Sequence, residues 1–324
     1  MTPQTITAAA SGTWHLGDLR VHRIGFGAMR ITQEGAAFDP DAAPGDRDRA
    51  IGVLRRAVEL GVNHIDTAAF YFSRLRSANE LINRALAPYP DDLLIATKVG
   101  PGRDPSGAWT PHAGPGQLRG QVEQNLRELG RDHLDVVNLR IVGTDSIAER
   151  FGALAELREA GLIRHLGLSN VRPHHLAEAQ AIAPVVCVQN PYGLGFAPEQ
   201  QAEQREIIRL CGEQGVAYVP FYALAGQNRE AGLRPAGTGT DSRTGTTSDT
   251  PAAAVSAVAQ ARGVSPAQVR LAWTLHLGGH VLAIPGTGDP DHLADNVAAG
   301  ALRLSEEELR LLEPAGAEGA PSVA

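Results

Sequence analysis

Cysteine is nearly absent: Cys187 and Cys211 are the only two in 324 residues. That excludes a disulfide framework and leads us to expect a cytoplasmic compartment, with both thiols read as small buried hydrophobes. No run approaches the ~20 apolar residues that a membrane span needs. Met1 to Gly12 have neither the basic start nor the apolar run of a targeting segment. Neither sign of charge forms a long block: 29 basic and 36 acidic residues leave a net charge of −7. A chain built to neutralise a nucleic-acid backbone is therefore excluded. The histidines lack Glu or Cys partners at ligand spacing. His133 precedes a strand and His174-His175 opens a helix, so no metal site is expected. No Ser-His-Asp set is visible. What is present is 43% hydrophobic and 20% charged residues, with 36 glycines and 21 prolines. This is the composition of a soluble globular protein with a sizeable core and many tight loops.

Short β-branched runs alternate with segments of helical periodicity almost from end to end. Strands are predicted at Arg23–Ala28, Val62–Asp66, Leu93–Lys98, Leu134–Arg140, Ile163–Leu168, Val185–Gln189, Val216–Phe221 and Val281–Pro285. Amphipathic helices are predicted at Asp48–Leu60, Leu118–Leu129, Ser146–Ala160, Pro173–Ile182, Glu199–Gln214, Ala252–Arg262 and Asp291–Ala299. Gly61, Gly130, Gly161, Gly215 and Gly263 read as helix stops. Eight strands with interposed helices predict an α/β protein of the (β/α)8 TIM barrel type rather than a doubly wound sheet, with residues 1–324 forming one domain. Trp14–Val21, turning at Gly17-Asp18, reads as a β-hairpin that caps the barrel bottom. The tails, about 1–12 and 314–324, are expected to be frayed. The Gly/Ser/Thr-rich stretch at about 229–250 is expected to be mobile, either overhanging the active face or forming an inert surface insertion.

In such a barrel, reactive residues sit where strands end. The second strand ends in Asp66 and is followed by Tyr71, the third ends in Lys98 and the fourth in Arg140. With neighbouring strands ~4.8 Å apart, Asp66, Lys98 and Arg140 share one rim. Lys98 placed between Asp66 and the Tyr71 phenol would favour phenolate and make Tyr71 a usable proton donor, with Asp66 orienting Lys98. Taken singly, each residue reads as part of a rim salt bridge beside a surface tyrosine. Three consecutive strand ends carrying Asp, Lys and Arg are much less ordinary.

At this point the sequence resembles the aldo-keto reductase superfamily, from about Val21 to Glu313. The resemblance rests on Asp66-Thr67-Ala68-x-x-Tyr71, Lys98, Leu166-Gly167-Leu168-Ser169-Asn170, Gln189-Asn190 and Ile284-Pro285-Gly286-Thr287, in that order. It implies NAD(P)H bound in extended form, hydride delivery to a small-molecule carbonyl substrate, and Tyr71 as general acid. Ser169, Asn170 and Gln189 would hold the nicotinamide carboxamide, and Phe221 would stack on its ring. Gly286 to Asn296, including Thr287, His292 and Asp295, would bind the adenosine end and its 2′-phosphate, helped by helix N-terminal amides. Gly27, Ala28, Met29, Tyr222, Leu224 and Pro285 complete the implied cofactor set.

Three departures stand out. Arg140 replaces the family's usual histidine; always charged, it can stabilise an oxyanion but cannot donate the proton. This variant resembles a bacterial branch that includes pyridoxal reductases. Gly286 and His292 stand where a lysine and an arginine often grip the 2′-phosphate, with Asp289 and Asp291 nearby, so NADPH is kept first and NADH as its alternative. Ala28 stands where threonine is common. For the substrate pocket, Trp109 is the first candidate for the apolar wall, with Phe72 and Arg74 next, although a loop aromatic can equally pack on its own barrel. The expected activity is reduction of an aldehyde or ketone, pyridoxal or a specialised biosynthetic carbonyl compound. The rival readings are a cofactor-binding regulatory protein without turnover and a non-redox dehydratase or cyclase. Assembly is not legible, because no helix carries a sustained coiled-coil seam.

Overall fold

The computed structural model describes residues 6–35, 37–39, 41–110, 112–224 and 250–313. The chain opens with a hairpin, β1 (Thr13–Leu16) and β2 (Leu19–His22), paired antiparallel around Gly17, whose φ of +67° suits glycine. Parallel strands follow: β3 (Phe26–Gly27), β4 (His64–Asp66), β5 (Leu94–Val99), β8 (Leu134–Arg140), β9 (Ile163–Ser169), β10 (Val185–Gln189) and β11 (Ala217–Tyr218), each hydrogen-bonded to the next. Between β5 and β8 lies a small hairpin of β6 (Gly102–Arg103) and β7 (Trp109–Thr110). Residues 281–285 close the ring. Val281 bridges to Tyr218 on one side and Ala283 to Ile24 on the other, with Leu282 N–H donating to Tyr218 O at 2.9 Å and Gly25 N–H to Ala283 O at 2.8 Å. The result is a (β/α)8 barrel.

The first and eighth predicted strands are only partly laddered, because the closing segment pairs through isolated bridges and Ala28 already begins a 3-10 turn, Ala28–Ile31. The five glycines read as stops all adopt left-handed φ, between 63° and 82°. Three helices lie outside the predicted set: Ala78–Leu86, Pro266–His276 and Glu306–Leu312. In the first of them Ala78, Leu81, Ile82, Ala85 and Leu86 form a regular buried apolar face, and Asn79 is fully buried beside it.

The hairpin plugs the barrel bottom. Leu16 and Val21 pack with Leu94, Ala96, Val136, Cys187, Ala217, Val219 and Leu282. At its tip, Asp18 accepts from Arg164 Nη2 and His165 Nε2, both at 2.6 Å. The residues just before the hairpin are not frayed. Ala8–Ser11 form a buried 3-10 turn, because Ala8 N–H donates to Leu60 O at 2.8 Å and Ser11 Oγ accepts from Ile24 N–H at 3.0 Å. The tail at 314–324 and all but Thr250 of the 229–250 stretch lie outside the described residues. Among the described residues, no helix is long and apolar enough to cross a membrane.

One buried group sets a pH limit on the fold. His64 fills the space left by Gly25, where a Cβ would stand 2.1 Å from its Nε2, and neither ring nitrogen has a hydrogen-bond partner. Burial, reinforced by the nearby charge of His22, lowers its pKa from 6.5 to about 4. The unfolded chain therefore takes up a proton that the folded chain refuses, and stability falls as pH drops from 6.5 toward 4. Urea midpoints at pH 7 and pH 4.5 should show the wild type losing about 2 kcal/mol more than His64→Leu over this range. Equal losses would remove His64 as the cause.

Candidate active site

Strand register aligns the polar ends. Asp66 pairs with Ala96, Lys98 with Asn138 and Arg140 with Ser169, each step placing a functional residue on the next strand of the rim. Lys98 Nζ donates to Asp66 Oδ2 at 2.6 Å and to Thr67 O at 3.0 Å, and both side chains are buried. Gln189 Nε2 donates to the other carboxylate oxygen, Asp66 Oδ1, at 2.6 Å, so both oxygens of Asp66 are engaged. Tyr71 follows on a turn fixed by its own N–H on Ala68 O and by Ala78 N–H on Tyr71 O, each at 2.9 Å. The Lys98 nitrogen lies 4.9 Å from the centre of the Tyr71 ring. Burial alone would push the Lys98 ammonium down. The charges of Asp66 and Tyr71, with the hydrogen bonds that Lys98 donates to them, outweigh it and hold the pKa above the ordinary lysine value of 10.5. The site thus keeps a full positive charge beside a phenol, in a setting almost without water.

These strand ends are tied from behind by a chain of buried polar groups. Thr67 Oγ1 donates to Asn79 Oδ1 at 2.8 Å, Asn79 Nδ2 to Asn125 Oδ1 at 3.0 Å, and Thr97 Oγ1 to the same oxygen at 2.6 Å. Threonines next to Asp66 and Lys98 are thereby anchored to the helices Ala78–Leu86 and Pro115–Leu129. Deeper in the barrel, Gly167 makes room for Asn138: a Cβ there would lie 2.2 Å from Asn138 Oδ1.

The residues assigned by resemblance to a nicotinamide cofactor fall on the same face. Ser169 Oγ and Gln189 Oε1 are buried with no hydrogen-bond partner. Orphaned polar atoms of this kind fit a carboxamide that needs both a donor and an acceptor. Asn170 sits at φ +61° and donates to Ile141 O at 2.8 Å, which leaves its amide oxygen for a ligand. Arg140 carries its guanidinium 5.3 Å from the centre of the Phe221 ring, and Tyr222, at φ +62°, meets the other residues of this corner with its ring edge-on to Phe221 at 5.0 Å. Gly27 and Ala28 are buried, while Met29 and Leu224 are half-buried against the core.

Pro285, Gly286 and Thr287 leave the eighth strand. With Arg30, Arg49 and Asp289, the last two of these line a cleft of about 430 Å³ beside the mouth. The helix amides expected to receive a phosphate are already occupied. Asp289 Oδ1 accepts from Asp291 N–H at 2.9 Å and from His292 N–H at 3.2 Å, because an aspartate at this position caps its own helix. Arg49 Nη2 bonds the other Asp289 oxygen at 2.6 Å. His292 and Asp295 are exposed on this helix, and Asn296 is buried.

Trp109 is linked to Tyr71 through two further aromatic rings. Trp109 is half exposed and packs its ring on Phe38 at 5.3 Å and on Phe70 at 5.6 Å; these two in turn face Tyr71 at 5.9 and 5.2 Å. Phe72 is half-buried under the guanidinium of Arg103, whose carbon lies 4.5 Å from the ring centre. Arg74 is solvent-exposed, carried outward by the tight turn in which Ser73 N–H bonds Arg76 O at 2.8 Å. Phe38 and Phe70 stand in loops and Arg103 in the two-residue strand β6, so no periodic pattern singles them out.

Fold and rim together define a barrel oxidoreductase with a buried Asp–Lys pair at a tyrosine. Comparison with known proteins agrees. The aldo/keto reductase family model matches residues 23–316. Pyridoxine 4-dehydrogenase of Escherichia coli (strain K12) is 42% identical over 94% of this chain and 98% of its own. An uncharacterized oxidoreductase of Schizosaccharomyces pombe is 34% identical over 96% of this chain and 92% of its own. Among solved structures, an aldo-keto reductase from Klebsiella pneumoniae in complex with NADPH superposes with a TM-score of 0.69 at 26% identity, covering 90% of each chain. The chain belongs to the aldo/keto reductase family, and it is an oxidoreductase.

Proposed function

We propose that the chain reduces an aldehyde or ketone to the alcohol by direct hydride transfer, with NADPH as preferred reductant and NADH as the weaker one. It works in the cytoplasm on a small carbonyl compound, pyridoxal first among candidates. The observation that carries this reading is the charged Lys98, held by a doubly bonded Asp66 and set against Tyr71. NADPH, when bound, supplies hydride to the carbonyl carbon. Ser169, Asn170 and Gln189 hold the carboxamide end. Arg140 and Lys98 stabilise negative charge developing on the carbonyl oxygen, and Tyr71 delivers the proton to that oxygen. Asp66 keeps Lys98 charged and aimed. The choice of pyridoxal is supported by Arg140 in place of histidine and by the 42% identical dehydrogenase of pyridoxine. Loss of NADPH absorbance against a carbonyl panel tests the activity. Tight cofactor binding without turnover, or product without cofactor oxidation, would replace it with a regulatory or a non-redox role.

Cofactor choice has its own test. Arg49 neutralises Asp289 at the cleft assigned to the adenosine end, so Arg49→Gln leaves a carboxylate facing the 2′-phosphate. Fluorescence titration should then show NADPH binding about fivefold weaker, with NADH changed little. Equal weakening of both cofactors would contradict this.

A further inference from the structure

Arg103 joins three loops of the barrel mouth. Its Nε donates to Gly107 O at 2.9 Å within its own loop. Its Nη1 donates to Phe72 O at 2.8 Å and Phe70 O at 3.4 Å, the carbonyls on either side of Tyr71. Its Nη2 donates to Phe38 O at 3.3 Å, in the loop that follows β3. The guanidinium also lies 5.5 Å from the Phe38 ring centre and 4.5 Å from that of Phe72. In the β6–β7 hairpin, Arg103 is paired directly with Trp109, so the same residue sets where the indole stands.

Phe38 is the second observation. Its φ of +66° is a left-handed conformation that an aromatic side chain adopts only under constraint. The constraint holds its ring against Trp109 and Tyr71. Strain concentrated where an aromatic wall meets a reactive phenol points to a role in the pocket rather than in the core.

We propose that Arg103 is a positioning residue that latches these loops into one aromatic wall beside Tyr71, and that the wall makes the site select flat aromatic carbonyls over saturated ones of equal size. The wall offers ring faces and edges on which a flat ring stacks and a puckered ring does not. A planar fork is required for the latch, because carbonyls from two other loops are bonded at once by different nitrogens; a lysine offers a single point. The proposal rests on Tyr71 as the proton donor only for its catalytic consequence.

Benzaldehyde and cyclohexanecarbaldehyde serve as the flat and saturated pair, compared by kcat/KM and by dissociation constant from calorimetry. The wild type should favour benzaldehyde by about tenfold in both measures. Arg103→Gln and Phe38→Gly should each bring that ratio close to one, with NADPH binding unchanged. Phe38→Gly relaxes the strained backbone, so it tests the wall even where Arg103→Gln folds poorly, and Arg103→Lys should not restore the ratio. A wild type without preference in binding, or folded variants that retain it, would overturn the latch. If the wild type binds with the expected preference yet reduces neither aldehyde, the latch stands and the Tyr71 reading falls.

Discussion

Tyr71→Phe should lower carbonyl reduction by about a thousandfold, within the range that a positioned general acid contributes, while leaving NADPH binding within about twofold. The substitution removes one hydroxyl and keeps the ring that packs against Phe38 and Phe70. Stability should therefore move by less than about 1 kcal/mol. No neighbour can take over the proton: Lys98 is held above its ordinary value of 10.5, and an arginine at Arg140 does not release one. Steady-state rates beside cofactor fluorescence titration separate the two effects. Turnover unchanged in Tyr71→Phe would remove the mechanism, and lost cofactor binding would move Tyr71 into the cofactor site.

The second large effect belongs to Lys98→Met. It strands the Asp66 carboxylate in a buried site, with Gln189 as its remaining side-chain partner among the described residues. An uncompensated buried charge of this kind costs about 3–5 kcal/mol. Removing both charges with Asp66→Asn and Lys98→Met together should recover most of that stability and none of the activity. Activity lost without loss of stability in the single variant would mean that the pair serves chemistry alone. The sign of the pH dependence follows from the raised Lys98 pKa. Its contribution is complete below the unfolded value of 10.5 and is lost only as pH rises through the still higher folded value. Lys98 therefore stays charged at neutral pH. Lys98 is also the only lysine in the chain. Lysine labelled with carbon-13 at Cε gives one resonance, which should report an ammonium beyond pH 10.5 and shift in Tyr71→Phe.

The rim was legible because each strand ends an apolar run with a single polar residue. Asp66, Lys98 and Arg140 stand out for that reason, and Tyr71 lies within one turn of the first. The helix stops were legible because a left-handed φ at Gly61 or Gly130 favours glycine. Contacts between distant loops leave no such trace. Arg103 and Phe38 meet across 65 positions without any periodic pattern, and Asn79, Thr97 and Asn125 read as three unrelated polar residues until folding buries them on one another. Capping competes with ligand binding in a way that composition cannot reveal. By resemblance the amides at the start of the last barrel helix make a phosphate seat, and a local aspartate takes those of Asp291 and His292 first. The packed turn at Ala8–Ser11 resembles a loose tail in sequence because alanine and serine carry little pattern of their own.

Hydride transfer into a carbonyl leaves a mark that no other reading produces. NADPH carrying deuterium at both C4 positions of its nicotinamide, incubated with the protein and pyridoxal or benzaldehyde, should yield an alcohol with one deuterium on the carbinol carbon by mass spectrometry. Alcohol formed without deuterium on the carbinol carbon would contradict direct transfer.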